Sequence, residues 1–207
     1  YFDFKDVANM VAVASGYAFP VIIRISEVQR EFVLKYLDIG AEGFLLSTTS
    51  SPEQIAKLVD YCKYPPRGHR GISLQRAHKN YQPGNVKEYL EYANDRTVVL
   101  AQIESREGAL RSAEIAAVPG VDGMLIGPND MCMDLGKVGA TSDPEVVSAF
   151  EMSIKAFQDA GKAAGMISSN IAFLKQWQQK GLKLVNWNSE IGMLLNEGKR
   201  GLKELRD

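Results

Sequence analysis

Cysteine is scarce in this chain. The 207 residues hold two, Cys62 and Cys132. They lie far apart and outside any CxxC or zinc spacing, so no disulfide framework or structural zinc site can be read from them. Two thiols in a chain of this size fit a reducing compartment. The expectation is free thiols in a cytoplasmic protein, with a single Cys62–Cys132 pair as the alternative. An excess of one charge is also missing. The 24 Lys and Arg residues against 25 Asp and Glu leave a formal net charge of −1. That offers no electrostatic pull toward nucleic acid or a membrane surface. No apolar run approaches the roughly 18 residues of a spanning helix, and no secretory pattern marks the opening residues. Walker, GxGxxG, GxSxG and HExxH motifs are missing. No linker, low-complexity tract or charge block divides the chain, so one domain over residues 1–207 is expected.

What is present is an alternation. The composition, 45% hydrophobic and 24% charged, is that of an ordinary globular domain. Seven short apolar runs read as strands: 20–25 (PVIIRI), 43–47 (GFLLS), 70–74 (RGISL), 97–104 (TVVLAQIE), 123–128 (GMLIGP), 163–169 (AAGMISS) and 183–188 (KLVNWN). They are apolar on both faces, as strands of a covered parallel sheet are. Helical patterns separate them. Ser51-Pro52-Glu53-Gln54 reads as a capping box with proline at the first helical position, followed by a stripe of Ile55, Leu58, Val59 and Cys62. Asp143-Pro144-Glu145 opens a helix with Val147, Phe150, Ile154 and Phe157 facing inward and Gly161 at its end. Ile171, Leu174 and Trp177 mark another. Residues 75–96 form a polar excursion with a short helix at 85–93. Residues 190–206 form an amphipathic helix bearing Ile191, Leu194, Leu195 and Leu202, interrupted at Gly192 and Gly198. Alternating strands and helices mean βα units with right-handed crossovers. Either an open doubly wound sheet or a closed (β/α)8 barrel satisfies that pattern.

The carboxyl ends of the strands carry the polar residues. In 97–104, Val98, Leu100, Gln102 and Glu104 share one face and Val99, Ala101 and Ile103 the other. The first face turns polar toward its carboxyl end. In a barrel that direction leads to the mouth, where active sites lie. Glu104 would then point into the mouth, with Gln102 one layer below. Asp130 follows the next strand, after the Gly127-Pro128 break, so the two carboxylates should converge on neighbouring strand ends. Side by side they require a shared proton or a cation, and a hard divalent ion is the simplest answer. The structural alternative pairs Glu104 with Arg106 or Arg111 and leaves Asp130 capping a turn. Arg24, at the end of another strand, could hold a carboxylate by a two-pronged contact. Its alternative is an ion pair with Glu27 or Asp38. His69 and His78 sit in polar segments and read as solvated. Ser168-Ser169-Asn170 reads as a helix cap, Trp187 as core, and Asn188 as a residue of the mouth. Lys183 lies at the amino end of its strand, the wrong end for catalysis.

Five stretches in this order and spacing carry a resemblance: PVIIRI (20–25), LDIGAEGFLL (37–46), YPPRGHRG (64–71), QIES (102–105) and GVDGMLIGPNDM (120–131). Together they resemble the metal-dependent pyruvate aldolases of the HpcH/HpaI family, from about residue 2 to the end. The resemblance implies a (β/α)8 TIM barrel. It implies Glu104 and Asp130 as ligands of Mg2+, Mn2+ or Co2+, Arg24 on the keto-acid oxygen, Gln102 lining the pyruvate pocket, and backbone amides around Asn129 and Asp130 on the pyruvate carboxylate. The implied reaction cleaves a 4-hydroxy-2-oxo acid or 2-keto-3-deoxy sugar acid to pyruvate and an aldehyde. The implied assembly is a homo-oligomer, a hexamer built as a trimer of dimers.

The chain also departs from the family. The family's histidine base would fall before Tyr1, and neither His69 nor His78 matches it. With seven strands counted, the expectation is an amino-terminally incomplete barrel lacking its first strand. Ser47, Met131-Cys132 and Glu190 replace the family's usual residues around the mouth. Two enzyme alternatives of the same fold follow, a CoA-thioester lyase and an oxaloacetate decarboxylase or macrophomate synthase-like enzyme. A catalytically inactive barrel serving as a binding or assembly subunit is the third.

Overall fold

The computed structural model describes residues 2–82 and 84–206. Tyr1, Asp207 and Pro83, the last within the 75–96 excursion, lie outside the described residues.

Six parallel strands form one sheet in chain order: β1 (Ile22–Ile25), β2 (Gly43–Leu46), β3 (Val98–Ile103), β4 (Gly123–Ile126), β5 (Ala163–Ser168) and β6 (Leu184–Trp187). The helix α1 (Phe4–Gly16) precedes them, opened by a capping box between Asp3 and Asp6. α2 (Arg30–Asp38) joins β1 to β2, while α3 (Pro52–Cys62) and α4 (Val86–Arg96) lie between β2 and β3. α5 (Arg106–Leu110) and α6 (Ser112–Ala117) follow β3; α7 (Pro128–Asp134) and α8 (Pro144–Asp159) follow β4. α9 (Ile171–Gln178) and α10 (Glu190–Glu204) complete the order. The α3 capping box forms as the sequence predicts: the Ser51 hydroxyl accepts from the Gln54 N–H at 3.3 Å, and the Gln54 side chain accepts in return from the Ser51 N–H at 3.1 Å. Such a cap contributes about 1 kcal/mol.

The period-2 alternation of each strand divides the core in two. Phe44, Leu46, Val99, Ala101, Ile103, Met124, Ile126 and Met166 face outward, buried against Leu58, Ile115, Phe150, Phe157 and Trp177 of the helices. Truncating a large side chain in such a layer costs about 2–5 kcal/mol. Leu45, Leu100 and Leu125 form a second, smaller cluster on the inner face, with Val98, Ile167 and Leu184 packed against it. Residues of the first and last strands, Arg24 and Asn186, line one cleft, so the sheet curls with this inner face concave. Among the described residues the architecture is an α/β fold whose curled parallel sheet corresponds to part of a TIM barrel.

Several expectations are corrected. Segment 70–74 forms no strand. β2 pairs directly with β3, Gly43 opposite Val98, and leaves no slot between them. The segment packs as a loop in which Arg70 and Leu74 are buried and Ile72 is exposed. The Arg70 N–H donates to Lys63 O at 2.9 Å, and its guanidinium lies 4.6 Å from the centre of the Tyr64 ring. Trp187 is not core but 44% exposed, because β6 is an edge strand. α10 runs unbroken through Gly192 and Gly198. In α8, Val147 packs against the core as the stripe predicts, and Val146 is buried as well. Both cysteines are free and buried, and burial pushes the Cys62 thiol up to about 12. No helix among the described residues is long and apolar enough to cross a membrane.

Candidate active site

The carboxyl ends of β1, β3, β4, β5 and β6 open onto a cleft of about 1450 Å3. Arg24, Gln102, Gly127, Asn129 and Asp130 line it, with Ser168, Asn186 and Asn188 on the opposite wall. Four of the five sequence-selected residues thus meet in one cleft: Arg24, Gln102, Asn129 and Asp130. The fifth, Glu104, sits immediately behind its wall.

Register explains the convergence. Gln102 lies opposite Leu125 and Ile103 opposite Ile126, so Glu104 comes level with Gly127, whose N–H donates to Ile103 O at 3.1 Å. Gly127 and Pro128 end β4 and begin α7. Proline suits the first helical position, and it turns Asn129 and Asp130 out toward the cleft. Their N–H groups precede the first intrahelical bond, Met131 N–H to Gly127 O at 3.0 Å. Such leading amides have no acceptor within the helix.

Glu104 is 5% exposed, and its carboxylate lies against Gln102 and Gly127 of the cleft wall. The Thr48 N–H (2.6 Å) and hydroxyl (3.0 Å) both donate to Oε1 and draw it toward the loop after β2. The Gln102 amide donates to Oε2. The other end of that amide, Oε1, accepts from Arg24 Nε at 3.0 Å. A relay therefore runs Arg24 to Gln102 to Glu104. It fixes the Gln102 amide orientation, since a donor faces the carboxylate and an acceptor faces the guanidinium.

The structural alternatives do not hold. Arg106 pairs with Glu145 at 2.7 Å, and Arg111 with Glu114 at 2.9 Å and Glu53 at 3.5 Å. Asp38 binds Arg70 at 3.4 Å, and Glu27 accepts from Gln29 at 2.8 Å. Among the described residues, Glu104 has only neutral donors as partners, and Asp130 has no ion pair. A buried carboxylate without a cationic partner is costly.

The residues fit a hard divalent cation. A Cβ placed on Gly127 would collide with Glu104 Oε2 and press on Gln102 Nε2, so the bare glycine lets that oxygen pack against the backbone of the cleft wall. Carboxylate oxygens are the donors Mg2+ and Mn2+ prefer, and such ions keep several positions for water and substrate. No group of three or more His, Cys, Asp or Glu converges among the described residues; Glu104 and Asp130 are the two carboxylates at this wall of the cleft.

The histidines lie at the other end of the sheet, beside the carboxyl ends of helices, where each crossover returns to the amino end of the next strand. His69 follows α3 and pairs with Asp60. The His78 ring nitrogen Nδ1 lies 3.2 Å from Asp38 O at the end of α2, and burial lowers its pKa. Neither lines the cleft. Thr48 was not singled out by the sequence. The only signal was the polar run Ser47-Thr48-Thr49 at a strand end.

Comparisons with known proteins identify the family. The family described as HpcH/HpaI aldolase/citrate lyase matches residues 3–197. The chain is 34% identical over 198 residues to a hydroxypyruvate/pyruvate aldolase of Roseobacter denitrificans, covering 95% of this chain and 77% of that one. It is 33% identical over 181 residues to a 4-hydroxy-2-oxo-heptane-1,7-dioate aldolase of Salmonella typhimurium, covering 87% and 68%. The crystal structure of an HpcH/HpaI aldolase from Desulfitobacterium hafniense superposes with a TM-score of 0.94 at 30% identity, over 100% of this chain and 80% of that one. The chain belongs to the HpcH/HpaI aldolase/citrate lyase family.

Proposed function

We propose that this chain is a metal-dependent aldolase that cleaves a 4-hydroxy-2-oxo acid, or a 2-keto-3-deoxy sugar acid, to pyruvate and an aldehyde. The observation that carries the reading is the buried Glu104 carboxylate, held only by neutral donors against Gly127 of the cleft wall, with Asp130 on the same cleft. The aldolases among its relatives support the reaction class.

Glu104 and Asp130 would hold the cation, Mg2+, Mn2+ or Co2+. When bound, it supplies Lewis-acid polarisation of the keto acid. The chain's own residues supply the rest. Arg24 uses Nε to hold Gln102, which leaves its terminal N–H groups for the C2 oxygen. Gln102 fixes Arg24 and Glu104 relative to each other. The amides of Asn129 and Asp130 face the carboxylate. On cleavage the C3–C4 electron pair moves toward C3 and the C2 oxygen, the C4 hydroxyl gives its proton to solvent water as the aldehyde forms, and the enolate then takes a proton from water at C3 to give pyruvate. Donors already aimed at the growing charge lower the barrier without reorganisation. Neither His69 nor His78 is the base, since both sit at the far end of the sheet.

The same reading extends to the whole molecule. The curled sheet is part of a (β/α)8 barrel, residues 1–207 form one domain of a cytoplasmic enzyme, and protomers associate as a homo-oligomer, a hexamer. The exposed Ile191, Leu194, Leu195 and Leu202 of α10 support the last point.

Pyruvate release from a 4-hydroxy-2-oxo acid, measured before and after EDTA, tests the reading. EDTA is expected to lower the rate at least about 100-fold, with recovery on adding Mn2+ or Mg2+. A rate that EDTA leaves intact would contradict it.

A further inference from the structure

We propose that Thr48 is a positioning residue that fixes which oxygen of Glu104 is open to a cation. The inference rests on the reading of Glu104 as a ligand and goes beyond it.

A carboxylate oxygen has two lone-pair positions. Both on Glu104 Oε1 are engaged by one residue, through the Thr48 N–H at 2.6 Å and the Thr48 hydroxyl at 3.0 Å. Oε2 accepts one bond, from Gln102, and keeps one lone pair. It is also the oxygen that packs against Gly127, a residue of the cleft wall. Glu104 is therefore presented through Oε2 alone.

The backbone shows how closely this arrangement is specified. Thr48 has φ of 53°, a left-handed conformation that β-branched residues rarely adopt. Its neighbours hold the loop: the Thr49 N–H donates to Gln102 O at 3.0 Å, the Thr49 hydroxyl to Leu46 O at 2.7 Å, and the Ser47 hydroxyl to Ile25 O at 3.1 Å. The loop is thus anchored to β1, β2 and β3 at once. The N–H to Oε1 would be available to most residues at position 48. The hydroxyl bond is available only to threonine or serine. Groups that orient a metal ligand in this way typically alter metal affinity 10–100-fold.

Calorimetric titration of Mn2+ into the full chain tests the assignment, with thermal melts to monitor folding. Thr48→Val keeps the shape and the N–H and removes the hydroxyl. It is expected to weaken Mn2+ binding about 10-fold. Thr48→Ser keeps the hydroxyl and is expected to bind within about 2-fold of wild type. A purely structural role would weaken both variants alike or neither. Wild-type Mn2+ affinity in Thr48→Val, or equal losses in Val and Ser, would overturn the assignment while leaving Glu104 as a ligand. If Glu104→Gln binds Mn2+ as wild type does, the ligand reading itself fails, and Thr48 falls with it. Should Thr48→Val not fold, Thr48→Ala takes its place with the same expected loss.

Discussion

Glu104→Gln is expected to lower kcat/KM for aldol cleavage at least about 1000-fold, which corresponds to about 4 kcal/mol of barrier, and to abolish the response to added Mn2+. Two physical effects combine. The substitution removes one of the two hard anionic donors at the carboxyl ends of β3 and β4. It also reverses the relay. Oε2 of Glu104 accepts from the Gln102 amide, whose oxygen accepts from Arg24. An amide nitrogen in place of Oε2 is a donor, so Gln102 must flip and then presents a donor to a donor at Arg24. Two effects on the fold oppose each other: losing a buried charge held by neutral partners relieves its desolvation cost, while the donor–donor contact at Arg24 costs about 1–3 kcal/mol. Kinetics combined with a circular-dichroism melt therefore separates the roles: activity is lost while the melt stays cooperative and the protein stays folded at the assay temperature. Retained activity, or loss of the folded state in step with it, would contradict the assignment.

Arg24→Lys is expected to cost about 100- to 1000-fold in kcat with a smaller change in KM. Lysine keeps the charge but has no Nε to hold Gln102 and no planar fork. The single hydrogen bond at 3.0 Å aims the guanidinium from an exposed position on an edge strand. Without it the ammonium is a mobile point charge. The loss should therefore appear where the C2 oxygen gains charge, in the chemical step more than in binding. Single-turnover measurement of pyruvate formation checks this, and a lysine variant that turns over like wild type would remove Arg24 from the chemistry.

The site was more legible in the sequence than the fold around it. Strand alternation alone put Gln102 and Glu104 on one face, and the Gly127-Pro128 break exposed Asp130; Gln102 and Asp130 line the cleft and Glu104 lies directly behind it. The capping box at Ser51 and the stripe from Ile55 to Cys62 were also legible, because both are local signals, and all four stripe residues are buried. Segment 70–74 misled because a short run with two apolar residues says nothing of pairing: Leu74 is buried but Ile72 is exposed, and Arg70 is held by the nearby Tyr64 and by Asp38, which is distant in sequence. Trp187 misled for the converse reason, since nothing local distinguishes an edge strand from a central one. The depth of Glu104 was hidden because it depends on Thr48, which is 56 positions away and whose backbone conformation is unusual for its type.

Anomalous diffraction at the manganese edge, from crystals of the full chain grown with Mn2+ and pyruvate, tests the central claim most directly. The account predicts one strong peak between Glu104 Oε2 and the Asp130 carboxylate, beside Gly127. Manganese bound elsewhere at full occupancy, with positions 104 and 130 free of it, would contradict the account.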